Sequence, residues 1–309
     1  MLIIVDYFSN LFTKVYFCGT IKQMNLTMEK HMNKTKNILC DMHSHSRNSH
    51  DSDAKITDMA NACFEKGVRV LAITDHCDIQ LCNEIDIPSI LKSSLDETEE
   101  AAGLFDGKVE VLKGIEIGEA IWNKELANEL LNAFSYDAVI ASVHAVRYEG
   151  YTEAYSTIDF SKMTDSELDG FMQAYFDDLL ETVQYLDCDI VAHLTCPLRY
   201  INGKYGRGVD AYKYRDKILE ILDVIIKRSL CLEVNTSGIG TPHGELMPPK
   251  WILREYKEKG GCLVSLGSDA HSPERIANGF DSTIELLREC GFDAYYYYKQ
   301  RKPNRIGIK

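Results

Sequence analysis

The sequence lacks any run approaching the ~18 consecutive apolar residues that a membrane-spanning helix requires. It is also short of cations: 34 lysines and arginines stand against 47 aspartates and glutamates, for a formal net charge of -13. That deficit disfavours a protein built to hold a nucleic-acid backbone, because such proteins gather cations on one face. CxxC pairs are missing too, although the chain has ten cysteines. Several sit in apolar runs, as Cys77 and Cys262 do, where a thiol behaves as a small buried hydrophobe. No secretory disulfide framework is visible, so the expected compartment is reducing, namely the cytoplasm. What is present is ordinary globular material, 45% apolar and 26% charged, with carboxylates to spare for metal binding.

Residues 1–36 read differently from the remainder. The apolar opening Met1-Leu-Ile-Ile-Val is interrupted by Asp6, and it has neither the basic start nor the small-residue cleavage site of a signal peptide. We read 1–36 as a non-essential N-terminal extension and 37–309 as a single domain.

From Asn37 onward, short aliphatic runs alternate with helical patterns. The runs are Ile38–Met42, Val68–Ile73, Val109–Leu112 continuing to Ile117, Ala138–Val143, Asp189–Ala192, Leu230–Val234 and Gly261–Leu266, with a weaker eighth at Ala294–Tyr298. Their β-branched, uniformly apolar character suits strands buried on both faces. Between them, Ile56, Met59, Ala60, Cys63 and Phe64 fall at helical spacing, with Gly67 suited to end the helix in the left-handed conformation. Thr164-Asp-Ser-Glu167 reads as a capping box. Ser272-Pro273 reads as a cap and first helical residue before Ile276, Ile284 and Leu287. Parallel strands each need a crossover helix to return to the same edge. Seven or eight βα units in one chain favour a closed barrel over an open sheet. The longest insertion, Ala145–Met163, follows the fourth strand.

The chain has nine histidines, and most of them end strands. His43 and His45 close the first, His76 the second, His144 the fourth and His193 the fifth; Glu116 closes the third, and Asp269 with His271 the seventh. Parallel barrels build their active sites at that end. The i, i+2 spacing of His43-Ser-His45 sends both imidazoles to one side of an extended strand. Each piece alone has a bland alternative: a core histidine held by Asp75, a solvated Glu116, a helix cap at Asp269. Glycines flanking Glu116 let the backbone bend towards a site. All the bland readings together would have to fall by chance at one end of one barrel.

In order along the chain, His43-Ser-His45, Thr74-Asp75-His76, Gly114-Ile-Glu116, Ser142-Val-His144, Ala192-His193 and Gly267-Ser-Asp269-Ala-His271 resemble the motif series of the polymerase and histidinol phosphatase (PHP) superfamily. The resemblance covers nearly everything from residue 38 to about residue 275. It implies a distorted (βα)7 TIM-like barrel carrying a three-metal phosphoesterase site. By motif, His43, His45, Glu116 and Asp269 would hold the first metal, and Glu116 would bridge to a second held by His144 and His193. His76 and His271 would hold a third, with one ligand from the loop after the first strand. A gap-free register assigns that ligand to Asp51, with His50 as the alternative. The implied cofactors are two to three divalent ions, and imidazole with carboxylate suits zinc, manganese or iron over calcium or magnesium.

Arg199 and His243 lie past the fifth and sixth strand ends and resemble phosphate-contacting residues of the histidinol-phosphatase branch. Arg199 offers its fork of N–H groups to phosphate. His243 is read as a phosphate contact or as proton donor to the leaving alkoxide, with Asp269 as the alternative donor. The expected activity is therefore that of a metal-dependent phosphatase, first of all on L-histidinol phosphate in histidine biosynthesis. A related phosphoesterase of nucleotides or other small phosphate esters, and a degenerate non-catalytic module, are the alternatives. The expected partner is a small phosphorylated metabolite, with no nucleic acid or membrane; the sequence leaves the oligomeric state open.

Overall fold

Alternating buried runs do become parallel strands with helices between them. A computed structural model describes residues 37–309; the expected N-terminal extension lies outside the described residues. In chain order the barrel elements are β1 (Leu39–Asp41), α1 (Ile56–Lys66), β2 (Val68–Ile73), a short β3 (His76–Asp78), α2 (Ile87–Leu104) and β4 (Glu110–Gly118). They continue with α3 (Lys124–Ala133), β5 (Ala138–Ser142), α4 (Asp165–Tyr185), β6 (Ile190–Val191), α5 (Arg215–Lys227), β7 (Cys231–Asn235), α6 (Lys250–Glu258), β8 (Val264–Gly267) and α7 (Phe280–Glu289). The strands pair in parallel in the order β1-β2-β4-β5-β6-β7-β8, with β3 continuing alongside β4. Their side chains are buried almost throughout, as strands covered on both faces require.

The two edges of this sheet meet. Met42 N–H donates to the Leu266 carbonyl at 2.9 Å, Asp269 N–H to that of His43 at 2.8 Å, and His45 N–H to that of Ala270 at 2.9 Å. Beneath them the buried Asp41 carboxylate accepts from the Ser268 N–H at 2.9 Å and its hydroxyl at 2.5 Å. These bonds join the first strand to the last and nearly close the barrel. Ile38–Ile308 forms one compact unit.

Local signals act as physical chemistry predicts. Gly67 ends α1 at φ 75°, and Thr164 with Glu167 forms the full capping box of α4. Three expectations need correction. Ser272-Pro273 opens only a single turn, Pro273–Arg275, and the helix starts at Phe280. The Lys66 ammonium explains the break, because it takes the carbonyls of Pro273, Glu274 and Ile276 at 3.2, 2.6 and 3.0 Å. The eighth apolar run is not a barrel strand: β9 (Ala294–Lys299) pairs antiparallel with β10 (Lys302–Gly307) in a separate hairpin. Cys262, expected inside, is exposed, whereas Cys77 is buried. Among the described residues, no helix is long and apolar enough to cross a membrane.

Candidate metal centre

Neighbouring strands grip one another beyond their regular pairing, and this fixes the residues that follow them. Thr74 N–H donates to the Ser44 carbonyl at 2.8 Å, and Glu116 N–H to that of Asp75 at 3.2 Å. His76 lies beside Glu116 in register. The result is a ring of side chains at the carboxyl ends of the strands, where His43, His45, Glu116 and His193 are buried and His76, His144 and His271 are partly open.

Hydrogen bonds on the outer ring nitrogens decide which nitrogen faces the centre. His43 Nδ1 lies 2.7 Å from Glu233 Oε1, His144 Nδ1 lies 2.9 Å from Asp78 Oδ1, and His271 Nδ1 lies 2.9 Å from the Asp269 carbonyl. His45 Nδ1 lies 3.1 Å from the Ser49 hydroxyl, which itself donates to Asp75 at 2.8 Å. With Nδ1 engaged as donor, each Nε2 is turned inward, where it can offer a lone pair once it sheds any proton, the arrangement of a metal-ligating histidine.

The inward atoms are spaced as ligands of one ion would be. His43 Nε2 and His45 Nε2 are 3.1 Å apart, and they stand 3.3 and 3.6 Å from Glu116 Oε2 and 3.9 and 3.3 Å from Asp269 Oδ1. Ligands at the usual metal distance in a tetrahedron are separated by about 3.4 Å. On the other oxygen of the same carboxylate, Glu116 Oε1 lies 3.3 Å from His144 Nε2 and 2.9 Å from His193 Nε2, which are 3.4 Å apart. A third group joins His76 and His271 through Asp51, whose oxygens lie 3.6 and 3.1 Å from their Nε2 atoms. Asp51, not His50, therefore stands between this pair; the His50 ring lies 5.1 Å from that of His76.

Charge tells the same story. Burial alone would raise the Glu116 carboxyl, but the imidazoles of His43, His144 and His193 hold it well below the usual carboxylate range. Asp269 is held down likewise, by His45, His43 and His271 against burial. Burial, with His76 and His271 nearby, pushes His45 down to about 3. Although burial opposes it, Glu233 and Glu116 raise His43 well above an ordinary imidazole. A proton on His43 Nε2 thus reconciles it with the His45 lone pair at 3.1 Å, and a cation would do so as well. Glu116 Oε2 still lacks a well-formed hydrogen bond, despite His76 Nδ1 at 3.0 Å. An orphaned buried carboxylate oxygen amid inward lone pairs fits a bound metal.

Two of these residues carry backbone strain: Asp269 at φ 50° and His193 at φ 21° lie in the left-handed region, at a cost of about 1–3 kcal/mol each. Of the glycines flanking Glu116, Gly114 lies within β4 and Gly118 ends it. Gly118 gives clearance: a β-carbon there would come within 2.4 Å of Asp78 Oδ1 and 3.2 Å of His144 Nδ1. Gly267 does the same for Glu233.

A cavity of about 170 Å³ opens over the ring, lined by Asp51, His76, His144, Tyr155, Arg199 and Tyr200 among others. Arg199 Nη1 donates to the Ser237 hydroxyl at 3.0 Å and lies 3.6 Å from Asp269 Oδ2. His243 is not brought to this cleft; it lines a neighbouring cavity with Glu245 and Trp251. Gly203 and Gly238 leave it room there. Sequence reasoning missed Glu233, Asp78 and Ser49 as holders of the imidazoles. The one available signal was Glu233 itself, an acid inside the aliphatic strand Cys231–Asn235.

The sequence pattern of the PHP domain matches residues 41–237. The chain belongs to the PHP domain family. This PHP protein is 27% identical to the "Probable histidinol-phosphatase" of Thermotoga maritima over 82% of its own length and 94% of that protein. It is 25% identical to the histidinol-phosphatase of Lactococcus lactis, over 87% of this chain and 98% of that one. Its fold matches the crystal structure of the Lactococcus lactis histidinol phosphate phosphatase complexed with zinc, L-histidinol and phosphate. The TM-score is 0.71 and the identity 22%, over 86% of this chain and 98% of that chain.

Proposed function

We propose that this PHP protein is a metal-dependent phosphomonoesterase whose substrate is L-histidinol phosphate. The observation that carries the reading is Glu116, whose two oxygens each face a separate pair of imidazole Nε2 atoms. His43, His45, Glu116 and Asp269 would hold one divalent transition-metal ion; Glu116, His144 and His193 would hold a second. His76, His271 and Asp51 would hold a third, and zinc, manganese and iron all suit the donor set. When bound, such ions supply an activated water and neutralise charge on the phosphoryl oxygens.

The chain's own groups do the remainder. Arg199 sits at the cleft with one nitrogen tied to Ser237, leaving the rest of its fork to grip a phosphate. Asp269 Oδ2 faces that guanidinium. Held anionic, Asp269 takes a proton from the attacking water at Oδ2 and returns it to the leaving alkoxide. His243, lining a different cavity, is left out of this scheme. The small cleft suits a compact metabolite, and the names of full-length relatives support histidinol phosphate.

The test is a phosphate-ester panel with the metal-loaded enzyme. Histidinol phosphate is expected to give the highest kcat/KM, above nucleotides and sugar phosphates. Arg199→Ala is expected to lose about one to two decades in kcat/KM, from a charge-assisted contact of roughly 1.5–3 kcal/mol. A nucleotide exceeding histidinol phosphate tenfold would sink the substrate assignment and leave the phosphoesterase intact.

A further inference from the structure

Every imidazole aimed at a metal needs its outer nitrogen held, or the ring turns and the lone pair is lost. In this centre His43 is held by Glu233, His45 by Ser49, His144 by Asp78 and His271 by a carbonyl. His76 and His193 differ from these four, because neither Nδ1 has a well-formed hydrogen bond. That of His76 has Glu116 Oε2 at 3.0 Å, whereas His193 has no carboxylate there. The His193 ring is buried, and its Nε2 points at Glu116. Its electrostatic neighbour is Cys196, which lines the same cleft. A tight turn brings the two together, with Cys196 N–H donating to the His193 carbonyl at 2.7 Å.

A second orphan points to the same residue. The Tyr155 hydroxyl is buried without a well-formed hydrogen bond, and Tyr155 lines that cleft with Cys196, its electrostatic neighbour. Tyr155 is fixed from behind, since its N–H donates to the His144 carbonyl at 2.9 Å. Two buried donors therefore share one neighbouring cysteine, and that cysteine sits close to a residue in strained backbone that something must hold.

We propose that Cys196 is the positioning residue of His193. Its sulfur accepts from Nδ1–H while the Tyr155 hydroxyl fixes the sulfur, so Nε2 is aimed into the position shared with His144 and Glu116. Sulfur does here what carboxylates do for His43 and His144. The inference rests on the metal-centre reading above and is independent of which phosphate ester is the substrate.

Metal retention tests it without any assay of turnover. Metal-loaded wild type, Cys196→Ala, Cys196→Ser and Tyr155→Phe are dialysed against graded chelator, and retained metal is measured by elemental analysis. Cys196→Ala is expected to release one equivalent at about 10–100-fold lower chelator, the usual effect of losing such a partner. Cys196→Ser, whose hydroxyl still accepts, is expected to recover most of the difference. Tyr155→Phe is expected to shift release in the same direction by less, and it carries the test if Cys196→Ala fails to fold. Release from Cys196→Ala matching wild type overturns the proposal. Equal losses in Cys196→Ala and Cys196→Ser also overturn it, by reducing the sulfur to packing. Wild type that holds no metal overturns the metal-centre reading, and the proposal with it.

Discussion

Around the amino ends of the strands, Glu99, Glu110 and Asp189 each meet a cation: Lys113 at 2.6 Å, Lys299 at 2.5 Å and Arg301 at 2.5 Å. At the carboxyl ends, Asp51, Asp78, Glu116 and Glu233 meet imidazoles instead, and Asp269 approaches both imidazoles and Arg199, the latter at 3.6 Å. The first end surrounds a cavity of about 1030 Å³, the second a cleft of about 170 Å³. Size does not mark the chemistry; charge supply does. One end is electrostatically complete as built. The other gathers carboxylates around groups that are neutral or cationic according to what else is bound.

The sharpest way to break this contrast is to remove the carboxylate that both imidazole pairs share. Glu116→Ala is expected to lose about three decades or more in kcat/KM, since metal stabilisation of transition-state charge is worth several kcal/mol. Elemental analysis should show at least one equivalent gone. Retention of full metal and turnover would end the bridging assignment. Glu233→Gln should act more gently. It leaves every inward atom in place but weakens the hold on His43, so metal affinity or activity should fall about 10–100-fold. An unchanged variant would make Glu233 mere filling beneath Gly267.

Without metal, protons must supply the missing charge, and this gives the contrast a pH signature. His43, His76 and His144 are raised well above the ordinary imidazole value by neighbouring carboxylates that outweigh burial, and His193 to about 10 by Cys196 and then Glu116 against burial. Raised values stabilise the fold below the unfolded imidazole value of about 6.5, and that stability drains away as pH rises through the folded values. Metal-free protein should therefore lose at least about 3 °C in Tm between pH 7 and pH 10, roughly the effect of 1 kcal/mol in a domain of this size. Metal-loaded protein should lose less, and equal slopes would contradict the account. The smallest effect belongs to the other end. Lys299→Ala breaks an exposed pair worth about 0–1 kcal/mol, so Tm should barely move and kcat/KM should stay within twofold of wild type.

The ring of imidazoles and carboxylates was legible because a parallel barrel converts chain order into a circle: whatever ends each strand arrives at one mouth. His43, Glu116, His193 and Asp269 needed only strand boundaries to be placed together. Their supports were not legible. Glu233 reaches His43 across the barrel closure and Asp78 reaches His144 across β4, contacts that no local pattern encodes. The Ser272-Pro273 signal failed for a related reason, since Lys66, over 200 residues earlier, takes the carbonyls a helix would have used. His243 lines a different cavity from the cleft, and a loop residue carries no strand from which its direction could be read. The hairpin of β9 and β10 shows that an apolar run announces a strand without naming its partner.

The closure of β1 on β8 has a consequence for how the protein is made. His43 and His45 leave the ribosome first, and Asp269 and His271 follow only after more than 220 further residues. Until then His43 and His45 lack the carboxylate that faces them across the closure. Once the Asp269 N–H closes on the His43 carbonyl, Asp269 Oδ1 stands 3.3 Å from His45 Nε2 and the donor group is complete. The ring is thus assembled last, when β8 closes on β1.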